Sequence, residues 1–301
     1  MRYITSEEIA SLNISPATCV DWVREAFMIK RECVLPPKIS IHPQGTDFIN
    51  TMPCLLPPSY HRFGCKVVSR IKGAHPALKS DMMLLDSSTG ATIAILNSDW
   101  ITAMRTGAVA ALAINTFRRP GARIYAFVGL GAMGHATLDC FLATNPDSPI
   151  VIRLKRYKNH AETVAREYAH HKNVTFEFAD SMQELVRDAD VVVSCITDAD
   201  GLLVDDTSLF KPGVLVVPVH TRGFQNCDTI FEKVFADDEG HVSGFKYFSQ
   251  FRSFGEIGDV LTGHLAGRTN DTERILSYNI GLGLHDVFFA TKIMQLIDHA
   301  D

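Results

Sequence analysis

Apolar positions along the 301-residue chain fall into three textures. Residues 6–32 have a helical period. Ile9 and Leu12, then Val20, Val23 and Phe27, recur at helical spacing around a break at Pro16, with Ser6 placed to cap and Glu8 close behind. From 34 to 100 the pattern changes to short β-branched runs parted by proline and glycine. Lys38–Ile41, Phe48–Met52, Lys66–Ile71 and Thr92–Leu96 are examples, with a hairpin turn at Ser88-Thr89-Gly90. They predict an antiparallel sheet. The alanine-rich stretch at 100–117 meets no breaker before Pro120 and predicts a helix.

Beyond Arg118-Arg119-Pro120-Gly121 strands alternate with helices, the signature of βαβ units on a parallel sheet. The predicted strands are Ile124–Val128, Ile150–Leu154, Val174–Phe178, Val191–Cys195, Val214–Val219 and Lys233–Ala236. Helices are expected to start near Met133, Asn159, Met182 and Thr207. A closing helix is predicted from Glu273 to Ile297, packing back on the first domain. The expected fold class is α/β, with a Rossmann domain at 118–269 inserted into an α+β domain made of 1–117 and 270–301.

Composition narrows the choices. Hydrophobic residues at 46% and charged residues at 21% describe an ordinary globular chain able to bury a core without staples. Net charge is −5, from 29 basic and 34 acidic residues, and the basic ones are dispersed, which argues against nucleic acid or a membrane surface as partner. Seven scattered cysteines, none spaced CxxC, argue against a disulfide framework or a zinc site and read as small buried hydrophobes. No metal is expected. The start of the chain lacks a charged stretch followed by an apolar core, so a cytoplasmic location is the default expectation.

Gly129-Leu130-Gly131-Ala132-Met133-Gly134 directly follows an apolar strand and opens a helix. One glycine makes the turn, the second lets backbone approach a pyrophosphate, and the third lets helix and strand pack closely. The motif alone is also compatible with a plain glycine turn; its strand, helix and further βα units favour a dinucleotide. The second strand of such a domain usually ends in a carboxylate that accepts from the NAD ribose. Here it ends Leu154-Lys155-Arg156, so NADP(H) is preferred and NAD(H) possible, with the two cations pairing a 2′-phosphate unless they are merely solvated.

The chain resembles the ornithine cyclodeaminase and mu-crystallin family over nearly its whole length. The resemblance rests on Met52-Pro53, Gly64–Val68, Thr102–Thr106, Gly129–Gly134, Gly255–Leu261, Gly267-Arg268-Thr269 and Gly281–Asp286, in order. It implies that the α+β part is a substrate-binding and dimerisation domain, that the protein is a homodimer built through the N-terminal sheet, and that the cofactor lies between the domains. It carries Lys38, Lys66 and Arg105 to the substrate pocket and Thr106 to the cofactor phosphate. Asn279, Ile280 and Asp286 go to the nicotinamide end. A forked guanidinium and a point cation suit a carboxylate, and a desolvated Lys66 suits proton transfer at nitrogen. A structural salt bridge is the other reading of Lys66 and Arg105, and a surface position that of Lys38.

Two departures redirect the expected chemistry. Cyclodeaminases carry an acidic residue just before Met-Pro, where this chain has Asn50-Thr51, and a catalytic Asp where it has Arg222. Water activation then has no obvious base, unless His220 serves; a hydrogen-bonded structural histidine is the alternative. The expectation is therefore an NAD(P)H-dependent reductase or dehydrogenase acting on the C–N bond of a small imino or amino acid. Ornithine cyclodeaminase and a non-catalytic mu-crystallin-like NADPH-binding protein remain as alternatives. Lys66, Arg70 and Lys72 alternate along one strand, and with Arg105 and Arg222 they would suit a dicarboxylate; solvated side chains are the alternative. Asp81, Asp86 and Asp99 look structural.

Overall fold

The computed structural model describes residues 1–197, 199, 201–220 and 225–300. The chain divides into two compact units, Met1–Arg105 with Gly281–Asp301, and Thr106–Ile280. The expected boundaries at 118 and 269 fall elsewhere, because the second unit begins inside a continuous helix and ends after a strand that sequence reading assigned to a helix.

The first unit contains β1 (Arg2–Ile4), α1 (Ser6–Ser11), α2 (Pro16–Met28), β2 (Ile39–Ile41), β3 (Phe48–Leu55), β4 (Arg62–Arg70), β5 (Leu78–Asp86) and β6 (Thr92–Asn97). Thr5, not Ser6, caps α1 in a reciprocal capping box with Glu8, and Ser15 caps α2 ahead of Pro16. The sheet runs β1-β6-β5-β4-β3-β2. It is antiparallel except at β1, which pairs parallel with β6. Sequence reading passed over β1 and β5: β1 has only three residues, and β5 ends in the run Met82-Met83-Leu84-Leu85, which hides its alternation. In β5, Ser80, Met82 and Leu84 are nevertheless buried while Lys79, Asp81 and Met83 are exposed.

α3 (Asp99–Phe117) leads into the second unit, which holds β7 (Ile124–Val128), α4 (Ala132–Ala143), β8 (Ile150–Lys155), α5 (His160–Glu167), β9 (Val174–Ala179), α6 (Met182–Val186), β10 (Val191–Ser194) and β11 (Leu215–Pro218). It continues through β12 (Lys233–Ala236), α7 (Glu239–Val242), β13 (Phe254–Glu256), α8 (Ile257–Leu261) and β14 (Ile275–Tyr278); α9 (Gly283–Ala300) then belongs to the first unit. Every pairing in the order β13-β12-β14-β11-β10-β7-β8-β9 is parallel. β10, β11 and β14 are buried at every position, as parallel strands covered on both faces must be.

The helix expected from Glu273 is corrected. Ile275-Leu-Ser-Tyr278 slots between β11 and β12, and Gly281 at φ +89° separates it from α9. A four-residue apolar run carries no period that tells strand from helix. The turn at Thr207–Leu209 is likewise a single 3-10 turn. Among the described residues no helix is long and apolar enough to cross a membrane.

Candidate active site

Strand alternation places Lys66. On β4, Gly64, Lys66 and Val68 point to the buried face, and Lys66 stands in a cross-strand row with Met52, Met82 and Leu96. Its side chain is fully buried, a position that an ammonium holds only with a partner. α9 provides one. A single oxygen of Asp286, Oδ1, accepts from Lys66 Nζ at 2.7 Å and from Arg105 Nε at 2.9 Å, and both the lysine and the carboxylate have zero exposure.

Missing side chains make this approach possible. A Cβ on Gly64 would lie 2.8 Å from Val287 Cγ2, and one on Gly283 would lie 2.9 Å from the Met52 and Pro53 carbonyl oxygens. A Cβ on Gly281 would stand 2.1 Å from Arg105 Nη1, so the guanidinium lies against bare backbone there. The glycines of the Gly281–Asp286 motif are thus what seats Asp286 and Arg105.

Burial drives the Lys66 ammonium down from 10.5 to about 7. The Arg105 charge pushes the same way, Asp286 opposes through its charge and hydrogen bond, and Lys38 adds a further downward push. Lys38, half-buried just before β2, is therefore within electrostatic reach of Lys66. His285, beside Asp286 on α9, is fully buried edge-on to Phe27. Burial first, then the Arg105, Lys30 and Lys66 charges, hold its imidazole neutral, well below the usual range.

Lys66 also opens a chain of hydroxyls that sequence reading did not single out. Its Nζ donates to Thr102 Oγ1 at 3.2 Å; Thr102 Oγ1 and Ser80 Oγ are 2.8 Å apart; Ser80 Oγ donates to Asp99 Oδ1 at 3.1 Å. Asp99 Oδ1 also accepts from the Ser80 amide at 2.6 Å, which clamps the start of α3 to β5. Thr102 lies inside the quoted Thr-Ala-Met-Arg-Thr motif, one helical turn before Arg105, and that spacing was the available signal. Ser80 carried none. Asn50, of the Asn50-Thr51 pair that precedes Met52-Pro53, is buried on the same sheet face, and its Oδ1 meets no hydrogen-bond partner among the described residues.

The wider basic face expected along β4 is reduced. The strand ends at Arg70, which is half-buried, and Lys72 is exposed beyond it with its amide held by Asp47.

In the second unit the glycine motif behaves as a phosphate cradle requires. Gly129 is at φ +86° with no room for a Cβ, which would lie 2.4 Å from Cys195 C and Ile196 N, and a Cβ on Gly134 would lie 2.3 Å from the Gly129 carbonyl oxygen. Gly131 caps α4 in extended conformation without a side-chain cap, and a Cβ there would meet nothing within 4 Å. The exposed Ala132 and half-buried Met133 begin α4. These features fit a pyrophosphate against the helix N-terminus, at the point where strand order reverses around β7. Gly107, unremarked in sequence, lets α3 meet α4: a Cβ there would lie 2.3 Å from Ala136 C.

Other expected residues are engaged within the protein. Lys155 donates to the Arg156 and Asp180 carbonyls. Arg156 pairs with Glu162 and Asp180, with its guanidinium 4.9 Å from the Phe178 ring centroid. His220 Nε2 and Ser194 Oγ are 2.6 Å apart. Asn279 is buried with Nδ2 on the Ser277 carbonyl, Ile280 packs on the core of the second unit, and Thr106 is half-buried on α3. Arg222 lies outside the described residues. Among the described residues no His, Cys, Asp or Glu cluster could hold a metal ion.

The sequence aligns with known proteins along its whole length. It is 26% identical to the nodulation efficiency protein NfeD of Rhizobium meliloti, covering 99% of this chain and 96% of that protein. It is 25% identical to the N-((2S)-2-amino-2-carboxyethyl)-L-glutamate dehydrogenase of Staphylococcus aureus, over 71% of this chain and 67% of that protein. The Δ1-pyrroline-2-carboxylate reductase of Thermococcus litoralis, solved with NADH and L-proline, shares the fold with a TM-score of 0.86 at 20% identity, covering 100% of this chain and 98% of that one. The family profile described as ornithine cyclodeaminase/mu-crystallin matches residues 3–300, and the chain belongs to that family.

Proposed function

We propose that the protein is an NAD(P)H-dependent reductase or dehydrogenase acting on the C–N bond of a small imino or amino acid. The observation that carries this reading is Lys66, a fully buried amine held beside Arg105 by a shared carboxylate, where burial pushes the ammonium down to about 7. A nicotinamide coenzyme, when bound, supplies or takes the hydride at the substrate α carbon. Arg105 and Lys38 hold the substrate carboxylate, with Nε of Arg105 committed to Asp286 and its terminal nitrogens serving as the fork. Lys66 exchanges a proton with the substrate nitrogen. Gly129, Gly131 and Gly134 with the start of α4 hold the pyrophosphate.

Lys66 and Arg105 share the one carboxylate of Asp286, leaving cationic charge for an anionic substrate. We extend this to a substrate with at least two carboxylates, a class that includes the glutamate derivative, with its three, named for the Staphylococcus relative. For the coenzyme we propose NADP(H) over NAD(H), because β8 ends in Lys155 and Arg156. A 2′-phosphate there would displace Glu162 or Asp180 from Arg156. The open face of the first sheet, where Tyr3, Ile39, Ile41, Val67 and Met83 are 43–62% exposed, is proposed to pair with a second copy.

A panel of ketimines and of oxo acids with amines, scored by NADPH and NADH oxidation, tests the reading. Turnover of neither coenzyme across the panel refutes it. Equal kcat/KM on mono- and dicarboxylate imines removes the two-carboxylate extension, and a coenzyme ratio at or below unity removes the NADP(H) preference. Gly131→Asp fits the backbone, so it acts on the anion alone. Coenzyme affinity is expected to fall on the order of 100-fold or more, the scale of a like charge placed against phosphate. Val67→Glu is expected to convert a dimer to a monomer in sedimentation, and a parent that sediments as a monomer removes the pairing.

A further inference from the structure

Lys66 has no exposed atom, yet a group that gives a proton to substrate on each turnover must regain it. We infer that Thr102, Ser80 and Asp99 form a proton relay that connects Lys66 to solvent on the side away from Asp286, an inference that rests on the proposed role of Lys66.

The hydrogen bonds have a consistent sense. Lys66 Nζ is a donor only, so Thr102 Oγ1 accepts at 3.2 Å; Ser80 Oγ donates to Asp99 Oδ1 at 3.1 Å; the 2.8 Å contact between the two hydroxyls joins the halves. Ser80 and Thr102 are 3% and 5% exposed, and Asp99 is the first half-exposed group on the path. Each hydroxyl both accepts and donates, so a proton crosses by concerted bond exchange. An N–H bond of Lys66 breaks as an O–H bond forms at Thr102. Thr102 passes its own proton to Ser80, and Ser80 passes its own to Asp99 Oδ1. Lys66 is left as a neutral amine and Asp99 as a carboxylic acid, which releases the proton to water. Recharging runs the other way: with both hydroxyls rotated, Asp99 takes a proton from water and passes it to Ser80, Ser80 passes its own to Thr102, and Thr102 passes its own to Lys66.

Asp286 does not serve this purpose. It has zero exposure and its Oδ1 is shared by two cations, so it fixes Lys66 without offering an exit. The charged groups facing Lys66 are Arg105, Asp286 and Lys38, none of which lies on the hydroxyl path. Thr102, Ser80 and Asp99 are positioning and relay residues; they touch Lys66 and one another, not the substrate.

The test reads proton traffic directly. NMR of isotopically labelled lysine, at a pH below the Lys66 midpoint, measures hydrogen exchange at Nζ without any substrate. Ser80→Ala removes one link. Asp99→Asn keeps an oxygen for the Ser80 amide and hydroxyl but cannot carry the proton. Each is expected to slow exchange at Lys66 at least about tenfold, and Ser80→Thr, which restores a hydroxyl, is expected to return it toward the parent rate. Kinetics add a second readout: kcat is expected to fall about tenfold with KM within about twofold, and the solvent isotope effect on kcat to rise. Exchange within about twofold of the parent in both Ser80→Ala and Asp99→Asn overturns the relay. Slowed exchange in a protein that turns over no imine would leave the relay standing and remove the reductase reading, so the two failures are distinct.

Discussion

Lys66→Met is expected to lower kcat/KM for an imino acid by about 10² to 10⁴, the range that general acid catalysis contributes, with coenzyme affinity unchanged. Methionine matches the Met52 and Met82 neighbours of the row and fills the space of the aliphatic stem, so the loss reports on the amine rather than on packing. The pH dependence fixes the role. Burial lowers Lys66 to about 7, so it is mostly charged below that pH and mostly neutral above it. Imine reduction needs the ammonium and is expected to decline as pH rises through about 7; amino acid oxidation needs the free amine and is expected to rise over the same interval. The two limbs should cross near one midpoint and both should vanish in the variant. A reductive rate that stays level through this interval in the parent would remove Lys66 as the acid.

Stability follows with a defined sign. The folded state releases the Lys66 proton near 7 and the unfolded state near 10.5, so between these values the unfolded chain binds more protons and this group makes stability rise with pH. Below about 7 both states carry the proton and the burial cost is felt in full. Lys66→Met abolishes that slope, which denaturant midpoints across the interval would measure.

The parallel half of the fold was readable because its strands and helices alternate at lengths that leave little choice, and Gly129–Gly134 falls where a strand hands over to a helix. Its second half was less so. β14 is four residues long and completes the middle of the sheet from far along the chain, a placement that local pattern does not encode. Lys66 and Arg105 were recognisable by type and context. Their shared partner was not, because Asp286 lies 220 residues beyond Lys66, and only the folded chain shows that it serves both cations. The resemblance pointed to the nicotinamide end for this residue. Ser80 was invisible for a different reason: one hydroxyl on an undetected strand has no sequence signature, and Asp99, read as structural, does clamp β5 as well as ending the chain of hydroxyls. Type and context leave Lys66 and Arg105 as either reactive groups or a salt bridge, and the geometry joins the two alternatives, since the bridge is what gives the amine its environment.

Asp286→Asn is the complementary experiment, and it is expected to be costly in both stability and activity. The carboxylate is fully buried and neutralises two cations through one oxygen, while Oδ2 is buried with no hydrogen-bond partner among the described residues. Asparagine keeps the shape but removes the negative charge that Lys66 and Arg105 share in a low-dielectric interior. Breaking a buried pair in this way typically costs about 3–5 kcal/mol, which chemical denaturation would register as a lower midpoint at constant slope. The same change removes the Asp286 charge, which raises the Lys66 pKa, so its midpoint should move below about 7. Reductive turnover at neutral pH should then fall, and the falling limb should shift to lower pH. That joint displacement separates Asp286 from a residue that merely supports the fold, because a structural loss would lower the whole profile without moving it. A variant with the parental midpoint, whatever its stability, would show that Asp286 does not set the charge state of Lys66.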